Sequence, residues 1–185
     1  MNPDGQTLLA NWLRSDPLRW ELLGHVRSLE LPDCWIAAGC LRNLVWDQLH
    51  GRPVGLPTDV DVIWFDPDAR NEEAERTIES RLADVAPGVR WEVANQARMH
   101  LGNGDAPYTS SLDAMRYWPE TATAVAARRT IDDRCEVIAP FGLDDLFAMK
   151  LRPAGEFAAR KRAIFEMRLR QKRWLDRFPR LELAG

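Results

Sequence analysis

The sequence lacks the features of a secreted or membrane-spanning protein. No apolar run approaches the ~18 residues that a membrane span needs, and the first residues do not show a basic region followed by an apolar one. We therefore expect no signal peptide and no membrane partner. Cysteine is scarce, with three residues in 185, and no pair has the spacing of metal ligands. This pattern indicates reduced thiols and a cytoplasmic protein.

Repeats, low-complexity segments and a strong excess of one charge are also absent. The 25 Lys and Arg residues nearly balance the 28 Asp and Glu residues, giving a net charge of -3. The chain is not basic overall, and we expect no DNA partner. The charge is uneven, however, because residues 150–182 contain eleven Lys or Arg against four Asp or Glu. This basic segment is either a solvated helix face or a surface that contacts RNA phosphates.

Alternating helical and strand patterns predict one layered structure. Helices are expected at residues 8–26 (as one helix or two), 40–49, 71–85, 111–118 and 143–151, with a long basic helix from 153 to 174. Strands are expected at residues 34–38, 60–65, 89–94, 123–128 and 135–139. Residues 95–100 fit either a short helix or extended chain, and 102–107 are the candidate mobile loop. The order is typical of an α/β or α+β fold around one central sheet.

Two carboxylates, Asp59 and Asp61, stand at the start of the apolar strand predicted at 60–65. Side chains alternate along a strand, so these two share a face and can converge on one or two divalent cations. Carboxylate oxygens are hard ligands that suit Mg²⁺. In the alternative interpretation, Asp59 lies in the loop and only Asp61 enters the sheet, in an ion pair.

Two further residues strengthen the metal interpretation. Gly39 lies between a predicted strand and a predicted helix, and a helix N-terminus that a ligand can approach closely binds phosphate. The alternative is a simple strand-to-helix turn. Glu92 stands among apolar residues in a later strand, with Trp91 and Val93 facing the opposite way. Such an acid needs a partner, either a cation or one of two arginines, Arg90 and Arg98.

Several other residues are candidates with open alternatives. Arg42, in the first turn of the Gly39 helix, either binds phosphate as a bidentate fork or is an exposed helix residue. Phosphate or acceptor contacts compete with structural roles at His100, Asn95, Lys150 and Arg152. Core packing is expected for Trp35, Trp46, Trp64 and Trp91. Base stacking is a possible role for Trp118 and Tyr108.

Together these residues resemble a known superfamily. Gly39, "DVDV" at residues 59–62 and "WEV" at 91–93 are similar to the pattern of nucleotidyltransferases of the DNA polymerase β type. "AAGCLRNLVWDQLHG" resembles the glycine–arginine helix of tRNA CCA-adding enzymes. Most closely, the motifs resemble a small bacterial nucleotidyltransferase-like family, formerly a domain of unknown function, over residues 35–151: "GCLRNLVWDQLHG", "DVDVIWFD", "NQARMH", "TATAVAAR" and "PFGLDDLF".

The resemblance implies a fold, a reaction and a site. The fold is a nucleotidyltransferase-like mixed central β-sheet flanked by helices over residues 1–152, with a basic C-terminal helix in 153–185 that packs on it or is appended to it, as one globular unit. An acceptor hydroxyl, on a small molecule or RNA, attacks the α-phosphate of a nucleoside triphosphate and pyrophosphate leaves. Two Mg²⁺ ions are held by Asp59, Asp61 and Glu92, and Glu92 helps to take the acceptor proton. The triphosphate lies against Gly39, Cys40, Arg42 and Asn43.

The glycine turn departs from the superfamily pattern. The usual turn is Gly-Gly or Gly-Ser, whereas here it is Ala38-Gly39-Cys40. An alternative function is therefore a catalytically degenerate module of the same fold that binds nucleotide, RNA or protein. A third hypothesis is an enzyme that modifies a macromolecule such as tRNA.

Overall fold

Five strands form one mixed sheet at the centre of the computed structural model, which describes residues 3–69 and 71–185. The strands lie in the order β3-β2-β1-β4-β5. Only β2 and β3 run parallel, and the other neighbours are antiparallel. The predicted α/β architecture with a mixed central sheet is confirmed. The strands are β1 Trp35–Ala37, β2 Val60–Trp64, β3 Trp91–Asn95, β4 Ala126–Arg129 and β5 Cys135–Ile138.

Helices pack around this sheet, and side-chain caps begin several of them. Asp16 accepts from the Arg19 amide at the start of α2, and Asn71 accepts from the Ala74 amide at the start of α4. Such caps satisfy amides that have no partner inside the helix. The helices are α1 Pro3–Ser15, α2 Pro17–Arg27, α3 Gly39–Leu49, α4 Glu72–Val85, α5 Gln96–Asn103, α6 Ser111–Met115, α7 Asp144–Phe147, α8 Arg162–Lys172 and α9 Trp174–Arg177.

Two predicted boundaries in the middle of the chain are wrong. The loop expected to start at Gly102 begins later, because α5 continues through Asn103 and Gly104 ends it at a left-handed φ of 67°. Its mobility stays a prediction. The strand expected from residue 123 starts only at Ala126, since Thr121–Thr123 forms a 3₁₀ turn. Neither feature changes the hydrophobic pattern, so the sequence did not reveal them.

The C-terminal part also differs from the prediction. The helix expected at 143–151 stops after Phe147, where Met149 takes a φ of 53°, and Lys150–Leu151 forms a strand, β6. β6 pairs in parallel with β7, Glu182–Leu183. The long basic helix is shorter than expected because a 3₁₀ turn, Gly155–Ala158, precedes it and Arg173 ends it at a φ of 50°.

The sheet has an apolar face and a face that carries the site. Val60 and Val62 of β2 point into the main core beneath α1–α4, so Asp61 between them points to the other side. In β3, Trp91 and Val93 join the main core and Glu92 faces the same side as Asp61, as predicted. A smaller apolar cluster lies on the site face: Trp35, Ala37, Ile63, Met115, Ala124 and Ala126. The core positions predicted for Trp35, Trp46, Trp64 and Trp91 are confirmed.

The C-terminal segment shares the main core with α3. The ring centroid of Trp46 lies 5.1 Å from that of Phe178 and 6.4 Å from that of Trp174, both in edge-on arrangements. Trp174, Phe178 and Leu181 are buried within the main core. Division of the chain at residue 152 stays a prediction. Cys34, Cys40 and Cys135 are free thiols, and among the described residues no helix has the length and apolar character for crossing a membrane.

Truncation of Phe178 tests how strongly the C-terminal segment holds the core together. Phe178 is fully buried, and Phe178→Ala is expected to lower the free energy of unfolding by about 3–5 kcal/mol, measured by urea denaturation. Leu175→Ala in α9 is the matched control, because Leu175 is 39% exposed and should cost less than about 1 kcal/mol. Equal losses in the two variants would contradict this interpretation.

Candidate active site

A cavity of about 380 Å³ opens on the site face, where β2, β3 and α3 begin. Three carboxylates line one side of it: Asp59, Asp61 and Glu92. Three cationic side chains also line it: Arg42, Arg168 and Lys172. The cavity therefore brings together both signs of charge, and the acids that the sequence singled out meet in one place.

Strand register explains why the acids meet. β2 and β3 are parallel, and Asp61 is the register partner of Glu92, so the two side chains stand next to each other on one face. Asp59 lies one residue before β2, and Thr58 Oγ1 donates a hydrogen bond to its Oδ1 at 2.8 Å. Asp61 alone of the pair is inside the sheet, as the alternative interpretation had it, yet no ion pair of Asp61 is found in the described part of the chain.

Glu92 has a protein partner as well as a place in the cavity. Arg90 donates to its Oε1 in an ion pair whose members are both substantially exposed. Arg98, the other arginine considered, instead pairs with Glu75 and Glu72 on α4. Since exposed ion pairs contribute little stability, Glu92 can exchange Arg90 for another cation at small cost.

Crowding of the acids changes the protonation of Asp61. Burial, and after it the negative charges of Asp59 and Glu92, together raise the pKa of Asp61 from 3.8 to about 6. Arg42 and Lys172 oppose the shift. A cation bound between the carboxylates would remove this repulsion, so the donor set fits a hard divalent ion. In the described ranges no three His, Cys, Asp or Glu side chains are arranged as a ready metal site.

The glycine turn lies directly beside these acids. A Cβ atom added to Gly39 would lie 3.4 Å from Arg42 Nη2 and 3.8 Å from Asp59 Oδ1. Ala38 caps α3 with a φ of 50° and a ψ of -116°, a conformation that favours glycine. Ala38, which precedes Gly39 in this turn, is thus held in a strained backbone conformation.

Two of the residues predicted to contact a triphosphate do not line the cavity with their side chains. Cys40 is buried in the main core, where burial raises the pKa of its thiol to about 12. Its backbone amide lies in the first turn of α3, where amides have no partner inside the helix. Asn43 is buried too, and its Oδ1 accepts from Nε and Nη2 of Arg42 at 3.2 and 3.1 Å. Asn43 therefore orients Arg42.

Arg42 is buried and is not the exposed helix residue of the alternative interpretation. Its guanidinium carbon lies 5.2 Å from the ring centroid of Trp46 and 4.9 Å from that of Trp174. Burial lowers the pKa of Arg42 to about 10, and Glu120 opposes the shift. Within the described residues no carboxylate lies at ion-pair distance from Arg42. A buried guanidinium with free N–H groups in a cavity is suited to binding an anion.

Comparisons with known proteins agree with this geometry. A family model described as "Nucleotidyltransferase" matches residues 24–183. The chain belongs to this nucleotidyltransferase family. No curated protein matches the chain.

Solved structures similar to this nucleotidyltransferase share its fold. An NMR structure described as revealing a CCA-adding enzyme head domain has a TM-score of 0.85 and 34% identity, over 96% of this chain and 94% of that one. A CCA-adding enzyme in complex with CTP has a TM-score of 0.62 and 17% identity, over 97% of this chain and 43% of the enzyme. The Thermotoga maritima CCA-adding enzyme complexed with tRNA has a TM-score of 0.57 and 17% identity, over 90% and 38%. The chain thus spans less than half the length of these two enzymes. At such low sequence identity, the similarity establishes a shared fold and nothing more.

Of the other candidate residues predicted from the sequence, one lines the cavity and the rest do not. Trp118 lines the cavity, as a stacking residue would. Tyr108 does not, and its hydroxyl donates to Asp105 Oδ2 at 2.6 Å. Asn95 is fully buried, caps α5 and bonds to the Asp66 carbonyl, which is a structural role. Arg152 pairs with Asp145 at 2.9 Å. His100 and Lys150 also lie outside the cavity lining.

The sequence did not identify several lining residues from α5 and the C-terminal segment. Gln96, Met99 and Asn103 come from α5, and Arg168, Lys172 and Trp174 come from α8 and α9. The basic composition of residues 150–182 was the only available signal for the second group. It did not distinguish which cations face the site, because that depends on how α8 packs against the sheet.

The strain at Ala38 is open to direct measurement. Ala38→Gly is expected to raise the free energy of unfolding by about 1 kcal/mol, because relief of the positive-φ strain exceeds the added entropy of the unfolded chain. Ala148→Gly is the opposite control, since exposed Ala148 has a φ of -78° and its replacement should cost about 0.5–1 kcal/mol. A loss of stability at both positions would show that Ala38 is unstrained.

Crowding at Asp61 predicts a pH dependence of stability in the metal-free protein. Because the pKa of folded Asp61 is about 6 and its ordinary value is 3.8, the folded state binds the extra proton between these values. Stability attributable to Asp61 therefore falls as the pH rises from about 4 to about 6. Asp61→Asn should raise the free energy of unfolding by roughly 2 kcal/mol near pH 7.5 and change it little near pH 4.

The measurement is urea denaturation in the presence of a chelator, with exposed Asp84→Asn as the matched control. The control should change stability at neither pH. An Asp61→Asn effect of the same size at both pH values would argue against a raised pKa.

Proposed function

We propose that this protein is a magnesium-dependent nucleotidyltransferase that transfers a nucleoside monophosphate from a nucleoside triphosphate to a hydroxyl acceptor. Pyrophosphate is the second product. The observation that carries the proposal is that three carboxylates meet the buried Arg42 guanidinium at the glycine turn of a nucleotidyltransferase-family chain, and that no carboxylate of the described residues forms an ion pair with Arg42. These crowded acids, of which only Glu92 has an ion-pair partner among the described residues, suit a cation, and Arg42 suits a phosphate.

The acids have distinct tasks in this proposal. Asp59, Asp61 and Glu92 would hold Mg²⁺, with Glu92 released from exposed Arg90. Bound Mg²⁺ supplies Lewis-acid stabilisation of the α-phosphate and of the leaving oxygen. Glu92, which is part-exposed, lies on the side from which an acceptor hydroxyl can approach, and its carboxylate takes the hydroxyl proton.

The phosphates would lie between the start of α3 and Arg42. Gly39 has no side chain to obstruct approach to the first amides of α3, and those amides point toward an anion at the helix N-terminus. Asn43 and the rings of Trp46 and Trp174 hold the Arg42 guanidinium in place. Trp118 offers its ring to the base from the edge of the cavity.

The nucleotide and the acceptor are proposed from similar proteins. Structures of CCA-adding enzymes with the same fold are described with CTP, with ATP and with tRNA. ATP and CTP are therefore the first nucleotides to test here. The hydroxyl of an RNA or of a small molecule is the proposed acceptor.

Calorimetry with each common nucleoside triphosphate and MgCl₂ tests the proposal. The wild-type protein is expected to bind at least one of them with a dissociation constant in the enzymic range of about 1 µM to 1 mM. Asp61→Asn should weaken binding by at least about tenfold, because the Mg²⁺-triphosphate complex loses a ligand. Gly39→Ala should fold normally, since its Cβ meets only ordinary contacts, yet it should also weaken binding.

Asp84→Asn serves again as the control and should bind as the wild type does. Absence of binding for every triphosphate would contradict the proposal. Binding without pyrophosphate release, in the presence of candidate acceptors, would instead favour the catalytically degenerate module.

A further inference from the structure

Two cations from the C-terminal segment line the cavity that contains the acids. Arg168 and Lys172 stand four residues apart on α8, so they share one face of that helix. Both line the cavity. Arg170, between them in sequence, is exposed and lines a different groove. α8 therefore presents two of its basic residues to the site and directs others elsewhere.

Arg168 is held in place by a buried carboxylate. Glu120 is fully buried, and its two oxygens accept from Arg168 Nε at 2.8 Å and Nη2 at 3.3 Å. Thr123 Oγ1 donates to the same carboxylate at 2.8 Å. The backbone of Glu120 forms a bridge with Pro153, which restrains it further. The Arg168 side chain remains 31% exposed, so part of its guanidinium still faces the cavity.

This arrangement differs from the other ion pairs of α8. Arg162 pairs with Glu166 on the same helix at 3.3 Å, and both side chains are largely exposed. A buried carboxylate has no water around it to replace its cationic partner. The Glu120–Arg168 pair therefore restricts the guanidinium much more than a surface ion pair does. Trp174 also contacts both guanidinium groups, with Arg42 at 4.9 Å and Arg168 at 5.9 Å from its ring centroid.

The cavity thus has a cationic side that the acids alone do not explain. Once a divalent cation occupies the carboxylates, Arg42 and Lys172 have no negative partner among the described residues. Arg168 has one partner, Glu120. A polyphosphate is the ligand that matches several cations spaced along one wall. Arg168 keeps N–H donors beyond those bonded to Glu120, and Lys172 is exposed and unpaired among the described residues.

We propose that Arg168 and Lys172 bind the polyphosphate of the nucleotide and the pyrophosphate product, with Glu120 as the positioning residue that holds Arg168 at the cavity. This proposal rests on the proposed function. It makes the C-terminal segment part of the substrate-binding site, so that the packing of Trp174 and Phe178 on α3 also sets the position of the phosphate-binding cations.

Binding of inorganic tripolyphosphate and of ATP and CTP, each with MgCl₂, tests the proposal by calorimetry. Arg168→Gln and Lys172→Gln should each weaken tripolyphosphate binding by about tenfold, because each removes a charge-assisted contact. Glu120→Gln should weaken it by several-fold through loss of Arg168 orientation. Arg168→Lys keeps the positive charge but loses the bidentate geometry of the guanidinium. Its affinity for tripolyphosphate should lie between those of the wild type and Arg168→Gln. Arg170→Gln on the same helix should bind as the wild type does.

A comparison with nucleoside monophosphates separates phosphate binding from a structural role. The variants should lose more affinity for tripolyphosphate than for AMP or CMP, whereas a damaged fold would weaken all ligands together and lower the melting temperature. Lys172 is exposed and has no ion pair among the described residues, so Lys172→Gln keeps the test informative if Glu120→Gln or Arg168→Gln does not fold.

Two outcomes distinguish this proposal from the proposed function. If Arg168→Gln and Lys172→Gln bind tripolyphosphate as tightly as the wild type while Asp61→Asn loses triphosphate binding, the role of α8 is overturned and the nucleotidyltransferase proposal stands. If the wild type binds neither tripolyphosphate nor any triphosphate, both proposals are overturned.

Discussion

Repulsion between like charges is the constraint on which the rest of the site depends. Parallel pairing of β2 and β3 places Asp61 beside Glu92, and the turn before β2 adds Asp59. Burial of Asp61, together with the negative charges of Asp59 and Glu92, raises its pKa to about 6. The fold accepts this unfavourable arrangement at one place, where cations from α3 and α8 line the same cavity. A site that is unfavourable without its ligand is the usual result of selection for binding rather than stability.

Aromatic packing fixes where those cations lie. Trp46 on α3 packs against Trp174 and Phe178, and the Arg42 guanidinium lies against the rings of Trp46 and Trp174. This stack joins the glycine turn, which begins α3, to the C-terminal helices. The same tryptophan side chains therefore pack the core and position the Arg42 guanidinium. The C-terminal segment contacts Arg42 directly through Trp174.

The strongly periodic elements were accessible from the sequence. β2, α3 and α4 appear within one or two residues of their predicted bounds because their apolar spacing agrees with the tertiary contacts. The predicted helix boundaries are wrong where the backbone changes direction although the hydrophobic pattern of the sequence continues. Met149 and Arg173 adopt positive φ angles, and the short strands β6 and β7 exist only because distant segments pair. Such pairing leaves no local signal.

The sequence by itself determined that an acid pair would open an apolar strand, that a third acid would face away from Trp91 and Val93, and that a glycine would precede a helix. These features follow from the two-residue period of a strand and from the freedom of glycine, both of which are local. The tertiary structure alone decided that Cys40 enters the core, that Arg42 is buried between two tryptophans, and that Arg168 and Lys172 line the same cavity as the acids. Those outcomes depend on residues far apart in sequence, whose contacts arise only when the helices pack on the sheet.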